Sequence, residues 1–158
     1  NQIKKIIVPG SVGSILERSF IRFVNLEEIV LLNGIKHIAT GAFYGCNKLK
    51  KITIPSSVIH IDDCFRYIGS WADMKGENTS LEEIEISEDV LRKHIAKFCE
   101  GIINTPYMKK LNHISNFCPL CGTSYGIFSK KCSECGHKRG EPLDILAARE
   151  YRYRKRNK

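Results

Sequence analysis

The chain lacks long hydrophobic runs. No apolar stretch approaches the roughly 18–20 residues that a membrane-spanning helix needs, so the sequence predicts no membrane span. It also lacks an initial Met: it opens at Asn1, and Ile3 already belongs to a repeated strand pattern. We therefore expect a fragment or a processed product, and export of the parent protein stays open.

The motifs of common enzyme classes are missing too. The sequence contains no glycine-rich phosphate loop, no His-Glu-x-x-His motif and no nucleophile elbow. The adjacent acids Asp62 and Asp63 fit a solvated turn better than a catalytic pair. We therefore expect the protein not to be an enzyme.

A repeat of 23 residues runs through the first part of the chain. The interval relates Ile6, Ile29 and Ile52. It also relates two further sets, Ile3 with Leu26 and Leu49, and Val12 with Ile35 and Val58. Each copy alternates apolar and polar residues as a half-buried strand does, followed by a turn rich in Pro, Ser or Gly. Such self-similarity predicts a solenoid whose copies pack on their neighbours, with continuous internal apolar rows, and solenoids mostly bind partners.

These repeats resemble a known family. The segments 26–31, 42–46 and 49–58 are similar to the BspA-like class of leucine-rich repeat, and the resemblance covers roughly residues 3–86. It implies a curved, right-handed α/β solenoid that binds protein partners and has no catalytic residues. The Asn that commoner leucine-rich repeats place after the strand is replaced by Ser11, Gly34 and Ser57. No ladder of buried Asn side chains is therefore expected.

Charged pairs occupy equivalent positions in successive copies. They are Lys4-Lys5, Glu27-Glu28, Lys50-Lys51 and Glu82-Glu83. In stacked copies they would alternate in sign, and opposite charges on neighbouring strands stabilise the pairing. Stacking alone explains this ladder, but a second interpretation is that it also contacts a protein partner, through Lys5, Glu28, Lys51 and Glu83. Few aromatic residues lie on this face, which argues against a strong binding hot spot there.

An insertion interrupts the third copy. Phe65 lies 16 residues before the next opening, at Leu81, whereas the equivalent distance in the first two copies is six residues. The insertion carries Tyr67 and the single tryptophan, Trp71, and both residue types anchor interfaces. It is therefore a candidate partner surface. The alternative is that Trp71 folds back over the end of the core.

A helix that covers the last repeat is predicted next. Ser87, followed by two acids, is typical of an N-cap, and Gly101 is typical of a helix end. The residues that share its apolar face are Val90, Leu91, His94, Ile95 and Phe98. We expect His94 to be a packed core residue rather than a ligand. Three scattered cysteines are also expected to be small core residues: Cys46, Cys64 and Cys99.

The other four cysteines form two Cys-x-x-Cys-Gly turns separated by ten residues. They are Cys118, Cys121, Cys132 and Cys135. Each turn aims two thiolates at one point, and two turns supply the tetrahedral shell of one structural Zn²⁺. Iron is chemically suitable but fits this spacing less well. His113 and His137 are then spare residues at the surface or beside the site.

Residues 117–138 resemble the short zinc-ribbon modules appended to many bacterial and archaeal proteins, a form that is weakly diagnostic of function. A zinc–thiolate site favours a reducing compartment, so we predict a cytoplasmic protein. Because the ribbon and the repeats share no periodic core, we expect chelation to unfold residues near 112–140 alone.

The net charge of +8 arises entirely in residues 102–158, which hold 12 Lys/Arg and 4 Asp/Glu. A helix is predicted within residues 140–158. Its end, residues 151–158, mixes tyrosines with cations; the cations could bind phosphates while the tyrosine rings stack on bases. The candidate nucleic-acid contacts are Lys130, Lys131, Lys138, Arg139, Arg152, Arg154, Lys155 and Arg156. The alternative is a solvated terminus without function.

These observations divide the chain into four parts. Residues 1–101 are the repeat solenoid with its helical cap, 102–116 a linker, 117–139 the zinc ribbon and 140–158 a basic helix or tail. The predicted function is a non-catalytic protein-interaction module with a structural zinc ribbon. The alternative is a nucleic-acid or ribosome-associated protein that makes contact through residues 117–158. The partner and the oligomeric state do not follow from the sequence.

Overall fold

A computed structural model describes residues 2–66, 80–102, 105–108, 111, 117–124, 130–141 and 153–154, with the backbone alone at 98–100. Most of the predicted insertion and of the basic tail lie outside these residues. So do the predictions made for Tyr67, Trp71, His113, Arg152, Lys155, Arg156 and the side chains of Phe98 and Cys99.

The described residues form seven short strands and an α-helix of 15 residues, with further helical residues at 106–108, 111 and 153–154. The strands are β1 (Lys5–Val8), β2 (Ser14–Ile15), β3 (Glu28–Leu31), β4 (His37–Ile38), β5 (Lys51–Thr53), β6 (His60–Ile61) and β7 (Glu83–Glu85), and the helix is α1 (Glu88–Ile102). A single 3₁₀ turn at Gly10–Val12 follows β1.

The strands pair in parallel into two sheets. One sheet has the order β1-β3-β5-β7 and the other the order β2-β4-β6. Each strand pairs with the equivalent strand of the next repeat, so Ile6 lies beside Ile29, and Ile29 beside Ile52. The fourth copy joins the same register despite its longer spacing, because Ile84 pairs with Ile52. Parallel strands at the 23-residue interval fit the predicted repeat fold.

The core follows the repeat positions of the second and third copies. Fully or almost fully buried residues there include Leu26, Ile29, Leu31, Ile35, Leu49, Ile52, Ile54 and Val58. Phenylalanine rings add a stack across the copies: Phe20 to Phe43 is 5.7 Å between ring centroids, and Phe43 to Phe65 is 5.5 Å. Aromatic pairs at this separation stabilise beyond the area they bury.

The first repeat departs from these rows. Val12 is 51% exposed and Ile3 is 46% exposed, although their equivalents in the next two repeats are buried. β1 is the outermost strand of its sheet, so the first repeat has a described neighbour on one side only. The expectation of continuous internal rows is therefore wrong at these two positions.

Small residues replace asparagine where the turns of successive repeats meet. Gly10 lies against the next repeat so closely that a Cβ there would overlap the carbonyl oxygen of Asn33. The Ser57 hydroxyl donates to the Ile35 carbonyl at 2.8 Å and accepts from the Gly34 N–H at 2.9 Å. A serine hydroxyl thus makes the contact between repeats at this turn, without an Asn side chain.

The helix forms where it was predicted and buries its apolar face. The buried residues are Val90, Leu91, His94, Ile95 and Ile102. The expectation that Gly101 ends the helix is wrong, because α1 continues to Ile102 and Gly101 does not have a positive φ. Instead, the missing side chain lets α1 approach the third repeat, since a Cβ at Gly101 would overlap the carbonyl oxygen of Phe65.

The segment after α1 also packs on the repeats. In the stretch predicted as a linker, Thr105, Met108 and Leu111 are buried. The Tyr107 N–H donates to the Leu81 carbonyl at 3.1 Å, which ties this segment to the start of the fourth copy. The described residues of the predicted linker are therefore part of the packed structure.

Candidate metal centre and interaction surfaces

Two eight-residue knuckles carry the four clustered cysteines. The first knuckle is residues 117–124 and the second knuckle is residues 131–138; in each, the first and last residues form an antiparallel bridge. Backbone hydrogen bonds of 2.8–2.9 Å close both turns at equivalent positions. The turns end at Gly122 and Gly136, whose φ values of 79° and 76° lie in the left-handed region that favours glycine.

The folding of the knuckles brings the four sulfur atoms together. All four Sγ atoms lie within 4.8 Å of one another. The short contacts cross between the knuckles, at 3.6 Å from Cys118 to Cys135 and 3.5 Å from Cys121 to Cys132. In a tetrahedral site with Zn–S bonds of about 2.3 Å, sulfur atoms lie about 3.8 Å apart. The four cysteines could therefore hold a metal ion, with two ligands from each knuckle.

The electrostatics of this cluster favour a bound cation. A hydrogen bond with Cys121, together with burial, raises the pKa of Cys118, and the same bond lowers the pKa of Cys121 to about 5. Burial raises the pKa of Cys135 to about 12. Buried thiolates at this spacing repel one another, and a divalent cation would offset that repulsion.

The two knuckles differ strongly in burial. In the first knuckle, Phe117, Cys118 and Leu120 are at most 4% exposed and belong to the same buried cluster as the repeats and α1. In the second knuckle, the positions equivalent to Phe117 and Leu120 are Lys131 and Glu134, and both are exposed. The ribbon and the repeats therefore share a buried core, although the contact between them is not periodic, and the unfolding of the ribbon alone on chelation stays a prediction.

The first knuckle docks on α1 through a backbone contact. Gly122 lies against the Arg92 carbonyl oxygen so closely that a Cβ at this position would overlap it. The Arg92 Nε donates to the Gly122 carbonyl at 3.5 Å. A Cβ added at Gly136, the equivalent residue of the second knuckle, would meet no heavy atom of the described residues within 4 Å, its chain neighbours aside. The contact with the helix thus belongs to one knuckle only.

The predicted charge ladder forms across the four-stranded sheet. The register places Lys5 beside Glu28, Glu28 beside Lys51, and Lys51 beside Glu83. Lys5 Nζ lies 2.9 Å from Glu28 Oε2, and Lys51 Nζ lies 3.3 Å from Glu83 Oε1. Lys51 also lies 3.2 Å from Glu85, and this hydrogen bond raises the pKa of Lys51. The ladder charges satisfy one another, which supports the stacking role; contact with a partner stays a prediction.

A parallel row precedes the strands. Glu27 lies between Lys4 and Lys50, with N–O distances of 3.5 and 3.0 Å. The hydrogen bond from Lys50 lowers the pKa of Glu27. The alternation in sign that the sequence predicted thus occurs at both members of each charged pair.

A row of imidazoles crosses the three-stranded sheet toward α1. Ring centroids are 6.1 Å apart for His37 and His60, and 6.2 Å apart for His60 and His94. The His60 Nε2 lies 3.1 Å from the Asp62 carboxylate, and Lys97 lies 3.8 Å from the same carboxylate. His37 and His60 are 23 residues apart, so the repeat interval itself places them on neighbouring strands, although the row was not among the features predicted above.

The predicted core position of His94 is confirmed, because this residue is 7% exposed. Its Nδ1 is buried and has no hydrogen-bond partner among the residues that the structure describes. Burial, followed by the nearby charge of Lys97, lowers the pKa of His94. The environment of this side chain therefore favours the neutral imidazole over the charged form.

The predicted nucleic-acid contacts that the structure describes lie mainly at the second knuckle. The four exposed basic residues there are Lys130, Lys131, Lys138 and Arg139. The bridge between Lys131 and Lys138, and a hydrogen bond from the Arg139 N–H to the Lys130 carbonyl at 3.0 Å, hold these residues at one edge. Lys138 also lies 2.6 Å from Glu141, and Arg154 in the tail is helical and exposed.

The cysteines outside the knuckles are unsuited to catalysis where they are described. Cys46 and Cys64 are fully buried, as predicted. Burial raises the pKa of Cys46 to about 12 and that of Cys64 well above its usual value. The Cys46 thiol donates to the Phe20 carbonyl at 3.1 Å, which is a packing contact between repeats.

Comparison with known families agrees with this architecture. The family model described as "BspA type Leucine rich repeat region (6 copies)" matches residues 1–118. The chain belongs to the BspA-type leucine-rich repeat family. This leucine-rich repeat match extends beyond the residues 3–86 that carried the resemblance, and it ends at the first cysteine of the metal cluster.

No curated protein and no solved structure matches this leucine-rich repeat chain. Leucine-rich repeats commonly mediate protein interactions and are typically non-catalytic. The family itself names no partner for this chain. In the part of the chain that is described, none of the helices has the length and apolar character needed to cross a bilayer.

Proposed function

We propose that the protein is a non-catalytic interaction module, in which a leucine-rich repeat solenoid presents one sheet to a protein partner. In this proposal α1 caps the C-terminal end of the solenoid, and a small zinc ribbon follows it. The observation that carries the proposal is the in-register row of alternating charges across β1, β3, β5 and β7, of which Lys5 and Glu83 are exposed and Glu28 and Lys51 are half-buried. A fixed line of both signs suits a complementary protein surface better than a phosphate backbone of one sign.

The proposed partner face is defined by the outward row Lys5, Glu28, Lys51 and Glu83. We add Tyr67 and Trp71 of the insertion as proposed anchors, although both lie outside the described residues. The ladder supplies orientation and specificity, because exposed charge pairs contribute more to these than to affinity. The aromatic residues would supply the apolar contact area that the ladder lacks.

Neutralising the outward row tests this face. In one variant all four members of the row are changed to Gln; in the control, all four members of the adjacent row, Lys4, Glu27, Lys50 and Glu82, are changed to Gln. Both variants lose two cations and two anions. Proteins cross-linked to the immobilised full chain are quantified by mass spectrometry, and we expect the outward-row variant alone to lose them.

A third variant locates the contact if it is elsewhere. It replaces the exposed cations of the second knuckle, Lys130, Lys131, Lys138 and Arg139, with Gln. Capture that survives neutralisation of the outward row but disappears in this variant would contradict the proposed face.

The metal in the proposal is one structural Zn²⁺ held by Cys118, Cys121, Cys132 and Cys135. Four thiolates close the coordination shell, so the ion would supply folding stability and no open position for a substrate. Native mass spectrometry should find one zinc per chain, and elemental analysis that finds iron would contradict the assignment. The free thiols of the described cysteines agree with a reducing compartment, and we propose the cytoplasm.

A second candidate function is nucleic-acid binding through the second knuckle and the tail. The observation that favours it is the clustering of four exposed cations at one edge of a small, ordered knuckle. Phosphate contacts make affinity fall steeply with salt, whereas binding at the charge-balanced sheet should fall much less. Retention of the zinc-loaded chain on immobilised RNA at low salt, lost in the variant without these four cations, would favour this function.

A further inference from the structure

We propose that the metal centre is a terminal clamp for the repeats: the bound ion ties the second knuckle to the first, and the first knuckle holds α1 against the last repeats. The proposal rests on the metal site put forward above. It goes further in assigning the site a role outside the ribbon, namely control of the stability of the C-terminal end of the solenoid.

The two knuckles are alike in backbone but inequivalent in their surroundings. They have the same length, the same bridge and the same backbone hydrogen bonds. The first knuckle nevertheless presents Phe117, Pro119 and Leu120 to the protein interior, where all three are buried, while the second knuckle is mostly exposed. One half of the metal centre is therefore part of the core and the other half is joined to it through the cysteines.

The helix α1 lies between the first knuckle and the repeats. Gly122 lies against the carbonyl oxygen of Arg92 in the second turn of α1. Farther along the same helix, Gly101 lies against the carbonyl oxygen of Phe65 in the third repeat. The helix is thus held between the repeats on one side and the first knuckle on the other, and both contacts depend on the absence of a side chain.

Thermodynamic linkage extends the effect of the ion beyond the knuckles. A metal ion that binds the folded knuckles and not the unfolded chain stabilises every element whose folding is coupled to them. A unit as small as the two knuckles buries little by itself, so the docked conformation of the first knuckle depends on the ion. Removal of the ion should therefore increase the opening of α1 and β7, whereas β1, at the far end of the sheet, should be unaffected.

Hydrogen exchange measured by mass spectrometry on the full chain tests the clamp. Peptides that cover α1 and β7 are compared between the zinc-loaded protein and the protein stripped by a chelator. We expect removal of zinc to speed exchange in these peptides by about tenfold or more, and to leave the β1 peptide unchanged.

The chain offers a matched pair of variants. Gly122→Ala and Gly136→Ala introduce the same side chain at equivalent positions with similar positive φ, but only the first would overlap α1. Zinc-loaded Gly122→Ala should exchange in α1 as the stripped native protein does. Gly136→Ala strains its turn without touching α1, so at equal zinc occupancy it should keep more of the protection of α1 than Gly122→Ala does. Equal exchange of α1 in the two variants at equal zinc occupancy would overturn the clamp.

A second pair keeps the test decisive if alanine at Gly122 prevents folding. Leu120 is buried in the first knuckle, and Glu134 is its exposed equivalent in the second. Leu120→Ala should weaken the zinc-dependent protection of α1, and Glu134→Ala should preserve it. The reverse result, or no difference between the pair, would count against the clamp.

Metal content separates failure of the clamp from failure of the metal site. Native mass spectrometry of the same samples reports the number of bound ions. One bound zinc with identical exchange in the loaded and stripped protein would overturn the clamp alone. Absence of any bound ion from the native protein would overturn the metal site and the clamp with it.

Discussion

At the scale of single residues, the spacing of successive repeats depends on positions without side chains. Gly10 allows one turn to lie directly against the backbone of Asn33 in the next repeat. Its φ is not positive, so the requirement for glycine at this position comes from the close approach and not from an unusual backbone conformation.

Replacement of Gly10 tests this requirement. Gly10→Ala should lower the free energy of unfolding by about 1–3 kcal/mol, because the added methyl group must push two repeats apart. The neighbouring and exposed Ser11 provides the control, since Ser11→Ala should change the same quantity by less than about 0.5 kcal/mol. Urea unfolding followed by circular dichroism measures both. Equal losses would show that the turns are not in fixed contact.

Another residue-scale prediction concerns His94 and pH. Burial holds the pKa of His94 in the folded protein below its usual value of 6.5, so the unfolded chain binds more protons as the pH falls below 6.5. The stability of the native protein should therefore fall on acidification below this pH. The charged or titratable groups that face the ring are His60, Asp62, Lys93 and Lys97.

The His94→Leu variant separates this contribution from the other groups. The variant removes both the titration and a buried nitrogen without a described partner, so it should be at least as stable as the native protein near pH 5.5. His37→Gln changes an exposed imidazole of the same row and should keep the native pH dependence. Chemical unfolding at pH 5.5 and pH 8 compares the three proteins. An unchanged acid sensitivity in His94→Leu would assign the effect to other groups.

At the scale of elements, a stack of phenylalanine rings links neighbouring repeats through the core, in addition to the hydrogen bonds between their strands. Phe43 is fully buried between Phe20 and Phe65. Phe43→Ala should cost about 3–5 kcal/mol of stability, because it leaves a cavity in the middle of the stack. Phe20→Ala should cost less, since Phe20 is only partly buried in the first repeat. Similar losses in urea unfolding of the two variants would contradict a core centred on the second and third repeats.

The repeat elements could be predicted from the sequence because their signal is periodic. The strands, the charge ladder and the four clustered cysteines all follow from residue spacing, and the structure places them accordingly. Gly101 shows the limit of such patterns. A glycine near the end of a helix has the signature of a cap, but its role here depends on contact with Phe65, which is distant in sequence.

The docking of the first knuckle also depends on contacts that spacing does not reveal. Phe117 and Leu120 are apolar where the second knuckle carries Lys131 and Glu134. This difference in polarity was present in the sequence and indicates which knuckle is buried. The helix that it meets, however, is identified only by the folded chain, through the contact between Gly122 and Arg92.

At the scale of the whole molecule, the core and the charges have different roles. The eight Lys or Arg ion pairs among the described residues have exposed fractions of 31% to 75% for the participating side chains. Exposed pairs contribute little to stability, whereas the buried apolar residues form one continuous cluster from the repeats to the first knuckle. The ladder follows the register of the paired strands, and the apolar core supplies most of the stability.

Salt separates these two roles. At 1 M NaCl the screening length falls to about 3 Å, which weakens exposed ion pairs but leaves the burial of apolar residues intact. The free energy of unfolding of the zinc-loaded chain extrapolated to zero urea, and the urea midpoint with it, should therefore change by less than about 15% between low and high salt, which is the uncertainty of that extrapolation. The variant with the outward row neutralised should show even less dependence on salt. A large fall of the midpoint in the native protein alone would mean that the ladder, and not the core, holds the repeats together.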